Sequence, residues 1–369
     1  MGKLIFIHVG PAKTGSSAIQ KFMLKNPALL RELGIMYPRH TLMESGVSVG
    51  NYNAIYPKNK IGKPSTNKIA NLITTFEKSD ARVLLLSSEN FFGPINELAE
   101  VIPQAKFIFY LRNPLTLAES LYNQNVKNLG ETEPFEIRTR RPNFGTIGHL
   151  RDFVKKHGSE NLIIRYFDKS MFHRGNIIND LLFTMGIDPK ENIPNQKVNL
   201  AYTLEALEVK RFLNHFNLNP YCDYLLNNLL QQNQDGTTSY SLLKPEEFDK
   251  HLQHVIDEIQ LFFKEIPCDQ SEAFLKTIRQ TKQKEYIPQT LSVEKLAEIR
   301  DYICRKNTPL YYKLCRLIEI QDEQSTDDKV KTTAFIEKYN PQKRLLYHLK
   351  YISDRALFIN RLRINKFLS

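Results

Sequence analysis

A lysine and three hydroxyl residues surround a glycine near the start of the sequence. In order, these residues are Lys13, Thr14, Gly15, Ser16 and Ser17. An apolar segment of strand length precedes them, and a segment with the apolar spacing of a helix follows. A glycine turn between a strand and a helix directs its backbone N–H groups toward one point, where the helix dipole adds partial positive charge. With the charge of the lysine added, the sequence predicts a phosphate-binding loop.

The two glycines of this loop have the separation found in the nucleoside-triphosphate P-loop, but the lysine is displaced. The P-loop motif, G-x-x-x-x-G-K-[ST], needs the lysine directly after the second glycine and a hydroxyl that holds magnesium. Gly10 and Gly15 keep the spacing, whereas Ser16 stands in the lysine's place and the lysine has moved back to position 13. The loop resembles the 5′-phosphosulfate loop of sulfotransferases, approximately P-K-[TS]-G-[TS]-[TS]. The resemblance implies that residues 13–17 bind 3′-phosphoadenosine 5′-phosphosulfate (PAPS); an ordinary strand–turn–helix is the alternative.

A second motif comes at the end of a later predicted strand, where Arg112 precedes a predicted helix that contains Ser120. It resembles the 3′-phosphate motif of sulfotransferases, an arginine at a strand end followed by a serine in the helix. A guanidinium fork matches phosphate oxygens bidentately, and a serine hydroxyl adds a neutral hydrogen bond. Because PAPS differs from ordinary adenylates by its 3′-phosphate, the resemblance implies that Arg112 and Ser120 bind that group.

A third motif reads Arg-Tyr-Phe-Asp-Lys at residues 165–169. It resembles the R-[PY]-F-[DE] stretch of bacterial sulfotransferases that act on cell-surface glycans or related acceptors. An aromatic side chain at this point could stack on adenine, which makes Tyr166 a candidate for that contact. A packed aromatic at the end of a strand is the alternative interpretation. The whole resemblance runs from residue 1 to about residue 318.

Glu89 is the candidate general base. Sulfuryl transfer requires that the acceptor hydroxyl be oriented and lose its proton, and that charge on the departing phosphate be stabilised. Glycosaminoglycan sulfotransferases use a glutamate in a Glu-Lys-[ST]-x-x-[YF]-Phe segment, which residues 88–92 resemble without the lysine. Lys13 is the candidate for charge stabilisation. His40, in a predicted loop over residues 39–64 that could act as a substrate lid, is the alternative base.

These candidates depend on a sheet that the alternation of strands and helices predicts. The pattern indicates an α/β fold, a P-loop-like doubly wound parallel sheet flanked by helices, with a mostly helical C-terminal part. The predicted strands cover residues 4–7, 35–38, 83–86, 106–111 and 162–166. Ligands of such sheets lie beyond the carboxyl ends of the strands, where Gly10, Glu89 and Arg112 all fall. His8, inside the first strand, is interpreted as a hydrogen-bonded core residue.

The sequence divides into three segments. Residues 1–198 are predicted to form the PAPS-binding core, residues 199–318 a helical segment on the acceptor side, and residues 319–369 a basic amphipathic extension. In the extension, apolar residues recur at the spacing of an amphipathic helix; they are Leu345, Leu349, Ile352, Ala356 and Ile359. Packing on the protein's own surface is one interpretation of this helix, and docking on an anionic membrane or a partner is the other.

Composition and charge narrow the classes of partner. Of 369 residues, 41% are hydrophobic and 25% charged, as in soluble globular proteins. The net charge of +11 favours anionic partners, but nucleic acid is not expected because no recognition motif is found. No apolar run is long enough to span a bilayer and the sequence begins at the first predicted strand. We therefore expect a bacterial, cytoplasmic protein, with reduced cysteines and with membrane contact restricted to its tail.

Together the motifs imply a sulfotransferase that moves a sulfuryl group from PAPS to a hydroxyl of a carbohydrate or glycolipid-like acceptor, with no required metal. Two alternatives stay open. One is a P-loop kinase for a small metabolite, which would need a lysine after Gly15 and an acidic magnesium ligand at a strand end. The other is a non-catalytic module on a sulfotransferase scaffold that binds nucleic acid or membrane through its basic surface.

Overall fold

The computed structural model describes residues 2–40, 48–57, 62–137, 145–189, 191–194, 201–321 and 329–367, with side chains described as far as residue 359. The chain forms two compact units. The first comprises Met1–Ala118, Ile137–Val198 and Glu246–Lys282, and the second comprises Glu119–Glu136, Asn199–Pro245 and Gln283–Ser369. Residues 246–282 thus belong with the first unit, although the sequence grouped them with the helical segment. The functional division at residues 198 and 318 stays a prediction.

The first unit is built on a parallel sheet, which confirms the predicted fold class. Within the described residues its strands are β1 (Leu4–His8), β2 (Ile35–Met36), β3 (Val83–Ser87), β4 (Lys106–Leu111) and β5 (Leu162–Tyr166). They lie in the order β2-β3-β1-β4-β5, and every neighbouring pair is parallel. The chain fills one side of β1 before it crosses to the other side. The strand order therefore reverses at β1, and ligands of doubly wound sheets bind beside such a reversal.

Helices connect the strands of the first unit and form the second unit. In chain order, the described helices are α1 (Ser16–Lys25), α2 (Pro27–Glu32), α3 (Tyr52–Ile55), α4 (Thr66–Lys78), α5 (Ile95–Val101), α6 (Pro114–Asn128), α7 (Gly145–His157), α8 (Ile177–Thr184), α9 (Leu204–Leu213), α10 (Pro220–Gln232), α11 (Pro245–Glu265), α12 (Ser271–Arg279), α13 (Val293–Lys306), α14 (Thr308–Gln321), α15 (Lys329–Ile336) and α16 (Arg344–Phe367).

Helices cover both faces of the sheet. Successive side chains of a strand point to opposite faces, so a strand can pack against helices on both sides. Phe6, Leu85 and Ile108 join side chains of α1 and α8 in one apolar cluster. On the other face Phe107 of β4 meets Phe153 of α7 edge-on, with ring centroids 5.3 Å apart. The central strands are therefore buried on both sides, as their continuous apolar sequences predict.

A buried carboxylate ties the ends of β4 and β5 to α8. Asp180 accepts hydrogen bonds from the Tyr110 hydroxyl at 2.9 Å and from Arg165 Nε at 3.1 Å. The backbone N–H of His173 donates to the same carboxylate at 2.9 Å. Such partners offset the desolvation of a buried charge. The cluster fixes the strand end from which Arg112 emerges.

The second unit is helical and has its own apolar core. Leu207, Leu226, Leu296 and Leu310 come from four different helices, and each is fully buried. The predicted tail helix forms as α16. All four cysteines are free thiols, as expected. Among the described helices, none has the length and apolar character needed to cross a membrane.

Candidate active site

The loop between β1 and α1 has a conformation that requires glycine. Gly15 has a φ of 84°, which residues with side chains rarely adopt, and a Cβ atom there would lie 2.4 Å from Ile177 Cδ1. Lys13 also has a positive φ, of 66°, a strained conformation of the kind that clusters at functional sites. Thr14 Oγ1 donates a hydrogen bond to a carbonyl three residues earlier, at 2.7 Å. α1 begins at Ser16, so the loop leads directly into the first turn of a helix, where backbone N–H groups lack the usual intrahelical partners.

Two buried polar atoms lie beside Gly10. A Cβ atom at Gly10 would lie 2.6 Å from both His8 Nε2 and Ser16 Oγ. Neither atom has a hydrogen-bond partner among the described residues. Leaving a buried polar atom without a partner costs about 1–3 kcal/mol. An anion bound in this loop would give both atoms a hydrogen-bond partner.

His8 is the hydrogen-bonded core residue that the sequence predicted, and it also presents a polar atom to the loop. Its Nδ1 shares a hydrogen bond with Ser87 Oγ at 2.8 Å. Burial lowers the pKa of His8 to about 3, so the ring is neutral at neutral pH. In the tautomer in which Ser87 donates to Nδ1, Nε2 carries the proton and can donate toward an anion in the loop.

Arg112 emerges from the end of β4 and reaches the loop. Its Nη1 donates a hydrogen bond to the Lys13 carbonyl at 2.7 Å. Its guanidinium lies over the Phe167 ring, 5.3 Å from the centroid. Burial lowers the pKa of Arg112 to about 10, which leaves the group charged at neutral pH. The structure thus brings Arg112 of the second motif against the backbone of the loop that forms the first motif.

Glu89 lies at the end of β3, next to the same loop. The Ser88 N–H donates to the His8 carbonyl at 3.2 Å, which prolongs the pairing of β3 with β1 by one residue. The Ser88 hydroxyl then accepts a hydrogen bond from the Asn90 N–H at 3.1 Å and starts a 3₁₀ turn at Glu89. Burial raises the pKa of Glu89, and the positive charge of Lys13 opposes that rise.

The pKa of Lys13 responds to both neighbouring charges. Burial lowers it, the Glu89 carboxylate raises it, and the Arg112 guanidinium lowers it further. The site therefore holds two cations and one carboxylate in partly buried surroundings, where charges interact more strongly than in water. Such a set can attract an anion through its excess positive charge and still offer a carboxylate as a proton acceptor.

Part of the predicted lid loop packs against the end of β3. The Asn51 N–H donates to the Ser87 carbonyl at 2.9 Å, and the Ser87 N–H donates to Asn51 Oδ1 at 2.8 Å. Gly50 has no room for a side chain, because a Cβ atom there would lie 1.9 Å from the Ser87 carbonyl oxygen and 2.9 Å from Gln20 Nε2. Gln20 is fully buried, and within the described ranges neither atom of its amide has a partner.

The alternative base, His40, is held by two hydroxyl groups. The Tyr37 hydroxyl lies 3.0 Å from Nε2, and Ser48 Oγ lies 2.8 Å from Nδ1. A general base must have a nitrogen able to take the acceptor's proton, so His40 would first have to exchange one of these contacts. Residues 41–47 and 58–61 of the loop lie outside the described residues, and its role as a lid stays a prediction.

The other two predicted nucleotide contacts are placed differently. Tyr166 is 2% exposed, its ring is stacked on Phe274 at 4.4 Å, and its hydroxyl donates to the Asp269 carbonyl at 2.9 Å. These contacts match the packed-aromatic interpretation and occupy the ring that would stack on adenine. Ser120 lies in the part of α6 that belongs to the second unit, and its contact with a 3′-phosphate stays a prediction.

Sequence reasoning missed two polar groups near the loop. Gln20 was not recognised because a glutamine in an amphipathic helix is usually exposed, and its burial depends on Gly50 from a distant loop. The Nε2 of His8 was overlooked because a strand pattern shows that a side chain is buried but not which atoms it leaves without a partner. The close spacing of Gly10 to both His8 and Ser16 is the signal that could have drawn attention to it.

The fold and this site define an α/β protein with a glycine loop, bordered by Lys13, Arg112 and Glu89, where the strand order of a parallel sheet reverses. Among the described residues, no group of three His, Cys, Asp or Glu side chains is arranged to hold a metal ion. Comparison with the models of known protein families gave no match.

Two known proteins are similar to parts of the chain. An uncharacterized protein of Archaeoglobus fulgidus is 27% identical over 194 residues, 49% of this chain, and the match spans 53% of that relative's length, about half of it. The crystal structure of a sulfotransferase from Alicyclobacillus acidocaldarius covers 76% of this chain and 100% of its own, with 14% identity and a TM-score of 0.41. At that TM-score the likeness does not assign a function, so the function has to come from the site.

Proposed function

We propose that the chain is a sulfotransferase that transfers a sulfuryl group from PAPS to a hydroxyl of a carbohydrate or glycolipid-like acceptor. The observation that carries the proposal is the hydrogen bond from Arg112 to the Lys13 carbonyl. It joins a strained glycine loop and a strand-end arginine into one cationic site. Glu89, whose charge interacts with that of Lys13, supplies the carboxylate that the reaction needs.

The residues present fit a doubly phosphorylated nucleotide. The loop at residues 13–17, with the N-terminus of α1, would receive the 5′-phosphosulfate, and the buried Ser16 Oγ and His8 Nε2 would gain the partner that they lack. Arg112 would receive the 3′-phosphate with its planar fork. The displaced lysine lies within the turn itself: Lys13 has a positive φ, and its backbone carbonyl accepts the hydrogen bond from Arg112.

In the proposed reaction Glu89 takes the proton of the acceptor hydroxyl as that oxygen forms a bond to sulfur. The bond between sulfur and the bridging phosphate oxygen breaks, and 3′-phosphoadenosine 5′-phosphate (PAP) leaves with the electron pair. Lys13 and the backbone N–H groups of the loop stabilise the charge that develops on this leaving group. The raised pKa of Glu89 suits a base that must hold a proton at the end of the transfer.

The competing kinase reading has less support from the geometry. A P-loop kinase needs a lysine after Gly15 and a carboxylate at a strand end that can hold magnesium. Ser16 occupies the lysine's position. β3 ends at Ser87, whose side chain contacts His8, and the Ser88 side chain that follows donates to the Val49 carbonyl. Glu89, one residue further, interacts with Lys13. A non-catalytic binding module explains the basic charge, but it gives no role to Glu89.

Thermal unfolding with added nucleotides separates these functions. A sulfotransferase should be stabilised by PAP without magnesium, and by an amount that grows with the logarithm of its concentration. A kinase should respond to ATP with magnesium instead, and a non-catalytic module need not prefer either. Transfer of radiolabelled sulfate from PAPS to a panel of glycans and glycolipids would then identify the acceptor. Stabilisation by ATP with magnesium and not by PAP would contradict the proposal.

A further inference from the structure

α16 buries one of its faces against the second unit. Tyr347 contacts Tyr312 with ring centroids 4.4 Å apart, Tyr351 contacts Tyr221 at 5.5 Å, and Phe358 contacts Tyr221 at 4.9 Å. Tyr351 is 3% exposed. These side chains project from one side of the helix, at the spacing of three to four residues that defines a helix face. Aromatic packing therefore fixes which side of α16 points away from the unit.

The opposite face is mainly aliphatic and exposed, with Ser353 as a polar residue within it. We call it the outer stripe; it consists of Leu345, Leu346, Leu349, Ile352, Ala356, Leu357 and Ile359, all of them exposed. The exposed fraction reaches 68% at Leu345 and is still 37% at Ile359. The apolar spacing recognised in the sequence lies wholly within this stripe. The face that the sequence pattern marked as apolar is thus not the face that packs on the protein.

Cationic side chains border the outer stripe on both sides. At about 100° per residue, Lys350 falls on one margin of the stripe, and Arg344 and Arg355 fall on the other; all three are exposed. Asp354 is the acidic residue between positions 344 and 359, and it falls near the packed face. Long cationic side chains in such marginal positions can lay their carbon chains on an apolar phase and hold their charges among anionic headgroups.

We propose that the outer stripe docks α16 in the plane of a membrane surface that contains anionic lipid. From Leu345 to Ile359 the stripe is about 20 Å long and covers about 160° of the helix circumference, as interfacial helices do. The membrane accounts for both the aliphatic face and its cationic margins, since apolar burial and attraction to anionic headgroups add together. This inference is independent of the proposed reaction.

A second copy of the chain is a less suitable occupant. The seam of a two-stranded coiled coil is narrower than this stripe, and it is normally flanked by charges of opposite sign on the two helices. Here the flanking charges are Lys350, Arg344 and Arg355, so two copies would bring like charges together. A self-associating helix would also leave Leu346 and Leu357, at the edge of the stripe, exposed to water.

The test uses the full chain and vesicles of phosphatidylcholine, either alone or mixed with an equal part of phosphatidylglycerol. The protein should sediment with the mixed vesicles only, and less at high salt. Leu349→Gln/Ile352→Gln should weaken this binding at least about tenfold, because it removes two apolar side chains from the stripe. Lys350→Gln/Arg355→Gln should also weaken it by about tenfold or more. Leu261→Gln, which changes an exposed leucine of α11, is the matched control and should have no effect.

Fluorescence gives an independent measurement, since the chain contains no tryptophan. Leu349→Trp should show a blue shift of its emission on addition of the mixed vesicles, and Leu261→Trp should not. Because all the substituted side chains are exposed, the melting temperature of each variant should stay close to that of the wild type.

Three outcomes would overturn the proposal. Loss of binding in the charge variant but not in Leu349→Gln/Ile352→Gln would show adsorption through charge alone. A dimer in sedimentation equilibrium that Leu349→Gln/Ile352→Gln dissociates, with no vesicle binding, would assign the stripe to a second copy. Binding to neither vesicles nor a second copy would show that the outer stripe does not dock α16 on a membrane.

Discussion

Arg112 combines a contact that shapes the loop with a charge that can bind an anion. Its Nη1 holds the Lys13 carbonyl, so removing the side chain disturbs the loop for every nucleotide. The loss of a phosphate contact, in contrast, affects only nucleotides that carry a 3′-phosphate. The two contributions can therefore be separated by comparing PAP with 5′-AMP, which lacks that group.

Arg112→Ala should weaken PAP binding by roughly two orders of magnitude, since loss of a bidentate charged contact costs about 2–3 kcal/mol. The affinity for 5′-AMP should fall much less. Isothermal titration calorimetry of both nucleotides, with wild type and variant, measures the difference. Equal losses for PAP and 5′-AMP would limit Arg112 to its role in the loop.

Glu89→Gln keeps the shape of the side chain but cannot take a proton. General-base catalysis contributes about 10²–10⁴-fold, so turnover should fall by that factor while PAP affinity stays near the wild-type value. The melting temperature, measured on the same preparation, shows whether the variant is folded. A stable Glu89→Gln protein with near-normal turnover would contradict the assignment, and His40→Gln would then be the variant to test.

The carboxylate of Glu89 also predicts how the activity depends on pH. Glu89 must be ionised to act as a base, and burial raises its pKa above the ordinary glutamate value. The ratio kcat/KM should therefore fall as the pH drops through this raised pKa, at a higher pH than an exposed glutamate would give. A pH profile of the residual activity of Glu89→Gln should lack this acid limb. If the limb persists in the variant, another group causes it.

At this scale the sequence predicted the proximity of the charged candidates better than the surroundings of the aromatic one. Lys13, Glu89 and Arg112 follow strand ends, and the ends of parallel strands meet at one edge, so their positions in the sequence imply proximity. Tyr166 was ambiguous because its ring is covered by Phe274, more than a hundred residues later. A local pattern cannot show whether a distant element covers an aromatic face.

The β1–loop–α1 element shows how a backbone conformation selects a residue type. At Gly15 a residue with a side chain would be strained by the positive φ, and its Cβ atom would clash with the Ile177 side chain of α8. Lys13 and Gly15 both adopt positive φ values within three residues, which turns the chain sharply into α1. The loop is thus defined by its backbone, and the hydroxyl residues around it add partners for an anion.

Gly15→Ala should lower the free energy of unfolding by about 1–3 kcal/mol, because a non-glycine residue at positive φ is strained and its Cβ atom must displace Ile177. PAP affinity should fall as well, since the loop cannot keep its shape. Urea unfolding and calorimetry measure the two effects. Gly148→Ala is the matched control: Gly148 lies inside α7 with no atom near its would-be Cβ, so the change should stabilise the protein slightly.

The strands and helices were predictable from the sequence where the spacing of their apolar residues is unambiguous. β4 and β5 have the predicted bounds. The predicted helix after Arg112 forms as α6, which begins at Pro114, and Asn113 Oδ1 caps it by accepting from the Leu115 N–H at 3.0 Å. The tail helix was also predictable, but not the face that it buries. Its aliphatic stripe is the stronger sequence signal, and yet the aromatic side chains Tyr347, Tyr351 and Phe358 make the contacts.

At the scale of the whole molecule, the division between the two units falls within α6. α6 begins at Pro114 in the first unit, whose segment ends at Ala118, and it continues into the second unit from Glu119. Lys13, Glu89 and Arg112 all belong to the first unit. The sequence predicts that Ser120, in the second, contacts the same 3′-phosphate as Arg112. The response of α6 to nucleotide therefore distinguishes between two predictions. In one, only residues of the first unit bind the nucleotide; in the other, Ser120 binds it as well.

Hydrogen exchange can follow that response along the helix. If Ser120 binds the 3′-phosphate, PAP should slow the exchange of α6 amides on both sides of residue 118, by up to about a hundredfold at a hundred times its dissociation constant. Ser120→Ala should remove the slowing beyond residue 118 and weaken PAP binding by about three- to tenfold, the net value of one hydrogen bond. Alanine is a good helix former, so α6 itself should persist. 5′-AMP is the control ligand, and protection of α6 that is the same with 5′-AMP as with PAP would exclude a role for Ser120 at the 3′-phosphate.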